Sequence, residues 1–150
     1  MAKKYDLIIV GGGSAGLGAA VAAYDAGIHN ILLIEKEATF GGILNQCVHD
    51  GFGVHLFKKT LTGPEYAHYL VEMLKERPFD ILLSSNVTDI SDKQEVTVFV
   101  AGQGVMLFKT KAIILGGQEA SKAATELKQK NIPVIYTNIY AVPTRDDDPY

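Results

Sequence analysis

Six residues near the start of the chain, Gly11-Gly-Gly13-Ser-Ala-Gly16, constrain its fold more than any other feature. The pattern G-x-G-x-x-G is weak alone and becomes specific through its flanks. Residues 5–10 are apolar apart from Asp6, which predicts a buried parallel strand. Residues 14–26 follow with Leu17, Ala20, Val21 and Tyr24 at helical spacing, and Gly27 stands where a helix C-terminus favours glycine. Residues 31–35 predict a second buried strand, which ends in the acidic Glu35. Strand, glycine turn, helix and strand make a βαβ unit, with a right-handed crossover expected.

Each position in that unit has its own physical reason. Gly11 permits the tight turn out of the strand. Gly13, having no side chain, lets the backbone approach a pyrophosphate. Gly16 lets the helix lie close to the sheet, and the small Ala20 one turn later keeps that contact close. The helix N-terminus offers free N–H groups and a positive dipole end to phosphates. Glu35 can accept hydrogen bonds from an adenosine ribose, and its charge repels a 2′-phosphate. The expected ligand is therefore a dinucleotide.

Beyond Glu35 the pattern loosens. Residues 36–61 lack clear periodicity and carry Gly41, Gly42, Gly51 and Gly53, and so long an irregular stretch inside a domain is usually functional. Thr62-Gly-Pro-Glu65 has capping-box spacing ahead of a helix striped by Ala67, Leu70, Val71 and Leu74. From Asp80 the period changes to two, and segments 81–84, 96–101 and 105–108 read as strands. Segment 112–115 returns to a buried strand ending at Gly116-Gly117. A helix over about 119–130 and a strand over 132–136 complete the reading, with an acidic, solvated tail at 145–150.

With 47% apolar and 21% charged residues the chain is ordinary for a globular domain, so disorder is not expected. The net charge of −3 argues against a nucleic-acid partner. The longest apolar runs are strand-sized, which argues against a membrane span. One cysteine, Cys47, excludes an internal disulfide and fits a reducing, cytoplasmic compartment. The expectation is one α/β domain over residues 1–150.

Two features beyond the glycine loop narrow the ligand. Gly41-Gly42 follows the acidic residue by a few positions, and an antiparallel excursion over roughly 86–110 interrupts the parallel sheet. Together they resemble the FAD-binding domain of the pyridine nucleotide–disulfide oxidoreductase superfamily, in which a three-stranded β-meander replaces a crossover helix. The stretches Gly41-Gly-Ile-Leu-Asn-Gln-Cys-Val-His-Asp-Gly-Phe-Gly53 and Leu61-Thr-Gly-Pro-Glu-Tyr-Ala67 are similar to bacterial FAD-dependent NAD(P)H oxidoreductases associated with glycerol-3-phosphate dehydrogenases. The resemblance spans about residues 4–116. It implies FAD as cofactor and a Rossmann-like parallel sheet with helices on both faces. It puts Gly11, Gly13, Ser14, Ala15 and Gly16 at the pyrophosphate, Glu35 at the ribose and Lys36 near the adenosine half. Gly41 and Gly42 would lie near the ribityl–pyrophosphate half, and the Val87 backbone at the adenine. Gly116 and Gly117 stand for the family's A-T-G-like turn, and Asn138 for the polar residue beside the ribityl chain.

The chain also departs from that family. It carries no second G-x-G-x-x-G, and the helix at 119–130 is expected to join directly two strands that the family separates by an NAD(P)H domain. Such a chain would be a minimal, truncated or engineered FAD domain, receiving electrons from NAD(P)H or a redox partner protein. The superfamily's disulfide reductases place two cysteines four apart. Here the first position is Leu44 and only Cys47 remains, which excludes a dithiol within one chain. A lone thiol beside a flavin can still act catalytically, whereas a free cysteine is more often a small buried hydrophobe. His49 and His55 share the loop without an identifiable partner, and His29 and His68 read as ordinary surface or packing residues. A non-catalytic NAD-binding regulatory module is the competing reading, and it requires a regular crossover helix in place of the meander.

Overall fold

A computed structural model describes residues 2–117, 120–132 and 135–137. Its strands are β1 (Lys3–Val10), β2 (Ile31–Ile34), β3 (Asp80–Leu82), β4 (Ser85–Ile90), β5 (Glu95–Val100), β6 (Gly104–Gly116) and β7 (Ile135–Thr137). Its helices are α1 (Ser14–Asp25), α2 (Val54–Phe57), α3 (Gly63–Leu74) and α4 (Ala120–Gln129). All seven strands join one sheet. Five of them, in the order β3-β2-β1-β6-β7, run parallel, and β4-β5-β6 form an antiparallel meander.

Strand β2 and the second half of β1, Leu7–Val10, read as unbroken apolar runs because both faces of the sheet are covered there. Leu7, Ile9, Ile31 and Leu33 face Leu17, Ala20 and Val21 of α1 and Ala67, Leu70 and Leu74 of α3. Ile8, Leu32 and Ile34 face the other way, into a cluster with Val96, Val98 and Val100 of the meander and Ala124 and Leu127 of α4. Burial of each such Leu, Ile or Val is worth roughly 1.5–3 kcal/mol relative to exposure.

The helix ends follow their sequence signals. At the end of α1, Ile28 N donates to Ala23 O and Gly27 N to Tyr24 O, with Gly27 left-handed at φ 101°. At the start of α3 the capping box forms: Thr62 Oγ1 accepts from Glu65 N, and Glu65 Oε2 accepts from Thr62 N at 2.7 Å. The Thr62 backbone and hydroxyl thereby hold the Glu65 carboxyl below its ordinary pKa. Helix α4 ends in Asn131 at φ 56°, with Ile132 N donating to Leu127 O.

Two segments differ from the sequence expectation. The run 81–84 is not one meander strand. Asp80–Leu82 pairs in parallel with β2, the chain breaks at Ser84 (φ 48°), and the meander begins at Ser85. Segments 105–108 and 112–115 are not separate either, because Gly104–Gly116 is one strand of 13 residues. The polar run Lys109-Thr-Lys111 is no break: β6 pairs with β5 on one edge as far as Lys109 and with β1 on the other edge from Phe108 onward. Lys109 pairs with Glu95 at 3.4 Å, Lys111 with Asp6 at 2.7 Å, and the Thr110 hydroxyl donates to Ala112 O. The irregular stretch 36–61 contains a short 3-10 helix, Gly42–Gln46, and α2. The expected strand at 132–136 appears as Ile135–Thr137, parallel to β6 and reached directly through α4.

Candidate functional site

The glycine loop lies at the C-terminal ends of β1 and β6, where open α/β sheets bind ligands. Its backbone is packed against itself. A Cβ on Gly16 would stand 1.7 Å from Gly11 O, and one on Gly11 would stand 2.4 Å from Gly116 O. These contacts join the N-terminus of α1 to the ends of both central strands, as the spacing of Gly11 and Gly16 predicts.

Gly13 is different. Its φ of −81° suits any residue, and the nearest atom to an added Cβ is Gly41 O, 4.0 Å away. Nothing within the described chain demands glycine there. The space beside it opens to the cleft, and a side chain would fill that space. Gly13 is also the N-cap of α1, with no side-chain cap bond, so the first-turn N–H groups have no protein side-chain acceptor at that cap. A glycine without an internal reason, at an uncapped helix start, fits a pyrophosphate cradle.

Glu35 is 5% exposed, so its carboxylate needs partners. Oε2 accepts from Gly12 N at 2.5 Å and Oε1 from Glu37 N at 2.9 Å. Its backbone is clamped as well, with Glu35 N donating to Leu82 O and Ser85 N donating to Glu35 O. A carboxylate has about four lone-pair sites, so acceptor capacity remains for hydroxyls in the cleft. The acid thus orders the glycine loop, beside the ribose role expected from sequence.

The loop after β2 folds back onto the glycines. Gly41 N donates to Gly12 O at 2.8 Å, and a Cβ on Gly42 would lie 3.4 Å from Gly13 Cα. Gly41 is left-handed at φ 117°, and a side chain there would strike Asn45, whose Nδ2 donates to Phe40 O.

Eleven of the residues assigned from sequence line one cleft of about 1000 Å³: Gly11, Gly13, Ser14, Ala15, Gly16, Glu35, Lys36, Gly42, Val87, Gly116 and Gly117. That volume is at the upper end of the roughly 300–1,000 Å³ usual for ligand sites. Gly41 shapes the turn without lining the cleft. Asn138 lies outside the described residues, as does the acidic tail. Cys47 does not line the cleft: its Sγ donates to Ile43 O at 3.4 Å, and its carbonyl accepts from Gly63 N. None of the four histidines lines it either. His29 stacks on Tyr24, His49 lies against Asp50 O and Phe52, His68 is 3.8 Å from Glu72, and His55 is exposed on α2. No group of three or more His, Cys, Asp or Glu among the described residues could hold a metal. No helix among them is long and apolar enough to cross a membrane.

Several site residues were not identified from sequence. Gly12 gives Glu35 its N–H, and a Cβ there would stand 2.5 Å from the Phe40 ring and 2.8 Å from Glu35 Oε2. The signal was available, because an extra glycine at a free position of the motif implies a close neighbour. Asn45, Gln46 and Asn86 also line the cleft, as do Ala123, Glu126 and Leu127 of α4 and Lys130 just beyond it. No pattern in the sequence marks that face of α4.

Comparison with known proteins agrees with this geometry. Residues 6–63 match the model of a family described as FAD dependent oxidoreductase. A thioredoxin reductase of Ureaplasma parvum serovar 3 is 31% identical over 115 residues, covering 76% of this chain and 35% of that protein. Among solved structures, THI4 of Thermovibrio ammonificans has a TM-score of 0.68 at 16% identity, covering 87% of this chain and 64% of that one. Thioredoxin reductase of Lactococcus lactis has a TM-score of 0.59 at 26% identity, covering 75% and 35%. The chain spans about a third of the length of the Ureaplasma relative. The fold is the Rossmann-like α/β fold of FAD/NAD(P)-binding domains, and its first part, residues 6–63, is similar to FAD dependent oxidoreductases.

Proposed function

We propose that this chain is the FAD-binding domain of a flavin-dependent oxidoreductase. The observation that carries the reading is Gly13, a glycine with ordinary φ and open space at its Cβ, standing between an uncapped helix and the Gly41-Gly42 turn. The loop 11–16 would hold the pyrophosphate, Glu35 the adenosine ribose, and Gly42 with Gly116 and Gly117 the flavin-ward half. Lys36 and Val87 belong to the adenosine side in this reading, and Asn138 to the ribityl side.

Bound FAD supplies the electron chemistry, and the protein supplies binding and orientation. The N–H groups at the start of α1 neutralise phosphate charge. Glu35 orients the ribose while fixing Gly12. Phe40, packed against Gly12, keeps water from the back of the loop. Electrons would come from NAD(P)H or a redox partner bound outside the described residues, and turnover by this chain alone is expected to be slow or absent. Cys47 forms no part of the proposed site, since its thiol is turned onto Ile43 O.

The test is purification followed by titration. Flavin absorbance should co-elute with the chain after addition of FAD, and saturating FAD should raise Tm, by the equivalent of about 2.7 kcal/mol at a hundredfold excess over Kd. A colourless protein stabilised by NAD and not by FAD replaces this reading with a non-catalytic NAD-binding module.

A further inference from the structure

The face of α4 that reaches the cleft is the strongest feature of the molecule left without a role. Ala123, Glu126 and Leu127, with Lys130 just past the end of α4, follow one another over about two turns and all line the cavity that holds the glycine loop. Their position along that cavity can be read from Glu35. The Glu35 carbonyl accepts from Ser85 N, so β4 departs beside the acid and carries Asn86 and Val87 along the cleft wall. Val87 and Ala123 are both half-buried against the cluster that contains Leu127 and Ile90. Farther along the same two elements, Lys130 Nζ lies 3.9 Å from Asp89 Oδ1, so the C-terminal end of α4 meets β4 at the end of the cavity.

We propose that α4 is the outer wall of the adenosine end of the cleft. Val87, Ala123 and Leu127 offer apolar surface to a flat base, Asn86 and Glu126 give it a polar rim, and the Lys130–Asp89 pair closes the end. A few apolar walls with convergent polar groups is the usual make-up of a small-molecule site. This wall rests on the FAD reading and deepens it: the chain selects flavin adenine dinucleotide over the mononucleotide through a helix that follows β6. The exposed Lys130–Asp89 pair adds little affinity by itself, so the selectivity comes from the apolar surface of the helix.

Two measurements on the full chain test the wall. Amide hydrogen exchange with added ADP should protect both loop 11–16 and α4, whereas FMN should leave α4 unchanged. In binding titrations, Ala123→Phe, which fills the wall from its half-buried position, should weaken FAD by about tenfold or more. It should leave FMN affinity within about twofold, and Gln129→Ala, off the lining, should change neither. Protection of loop 11–16 by ADP without protection of α4 overturns the wall and leaves the FAD reading intact. So does an Ala123→Phe protein that is folded and binds FAD like the parent. If neither FAD nor ADP protects loop 11–16, the FAD reading falls and the wall with it.

Discussion

The backbone N–H of Gly12 donates to Oε2 of Glu35 across 2.5 Å, so the acid that follows β2 holds the middle of the glycine loop. Loop and acid are 23 residues apart in sequence and behave as one unit. A residue expected at a sugar is also part of the architecture of the glycine loop.

Glu35→Gln separates those two duties. The amide must turn its NH₂ toward either Gly12 N or Glu37 N, and one buried donor then loses its acceptor. The expected cost is about 1–3 kcal/mol of stability in a denaturant titration. FAD affinity, measured by flavin fluorescence, should fall by about tenfold or more at temperatures where the variant is still folded.

The two inner glycines should respond in opposite ways. Gly16→Ala forces a methyl to within 1.7 Å of a backbone oxygen, which no side-chain motion relieves. A loss of about 3 kcal/mol or more, or failure to fold, is expected by thermal melting. Gly13→Ala meets open space and loses only the N-cap preference for glycine, so the apo protein should melt within about 1 kcal/mol of the parent, yet FAD binding should be lost. A Gly13→Ala protein that binds FAD normally would contradict the pyrophosphate assignment.

Gly63 tests how firmly the loop after β2 is seated. A Cβ there would stand 2.3 Å from Leu44 O and 2.6 Å from Cys47 O, where α3 meets the 3-10 helix. Gly63→Ala should cost about 1–3 kcal/mol and weaken FAD indirectly, by pushing the 42–46 turn away from Gly13. A melt and a titration on the same sample would show both changes. Loss of stability with unchanged affinity would detach this contact from the site.

A pH dependence follows from the cluster at the opposite end of the sheet. Lys3 Nζ and Tyr5 Oη both donate to Asp80 Oδ2 at 2.6 Å, tying β1 to β3 across β2. These bonds hold the Asp80 carboxyl below its ordinary value of 3.8 and raise Lys3 above 10.5. Burial first, then the bond to Asp80, raises Tyr5 above 10.0. A depressed acid stabilises the fold above the unfolded pKa and loses that contribution as pH falls through the folded one. Raised Lys and Tyr values act in reverse, so their contribution is lost as pH climbs past about 10. Asp80→Asn should therefore flatten the acid limb of Tm against pH and only part of the alkaline limb, because burial still raises Tyr5. Unchanged limbs would show that the cluster is not coupled to folding.

The sequence was most legible where one local pattern had one meaning. The run 5–10, the glycines and Glu35 predicted β1, α1 and β2 because the backbone geometry there is dictated by near neighbours. Thr62 and Glu65 announced α3 for the same reason. Partner choice was less visible. Asp80–Leu82 and Ser85–Ile90 are short neighbouring strands without a clean alternation, and only the turn at Ser84 separates a parallel edge from a meander. Lys109-Thr-Lys111 looked like a loop because its charges are met by Glu95 and Asp6, residues distant in sequence. The α4 wall was hidden because Ala123 and Leu127 read as core positions, and cleft and core share that face of the helix.

Strand β6 gives the molecule an unusual mechanical economy. Its first half is the last rung of the meander and its second half is the spine of the parallel sheet, with no joint between them. A load or a local melting event that starts in the meander has no hinge at which to stop. The same backbone continues to Gly116, against which the glycine loop is packed. Cofactor occupancy at one end and meander integrity at the other should therefore rise and fall together, as a single cooperative unit.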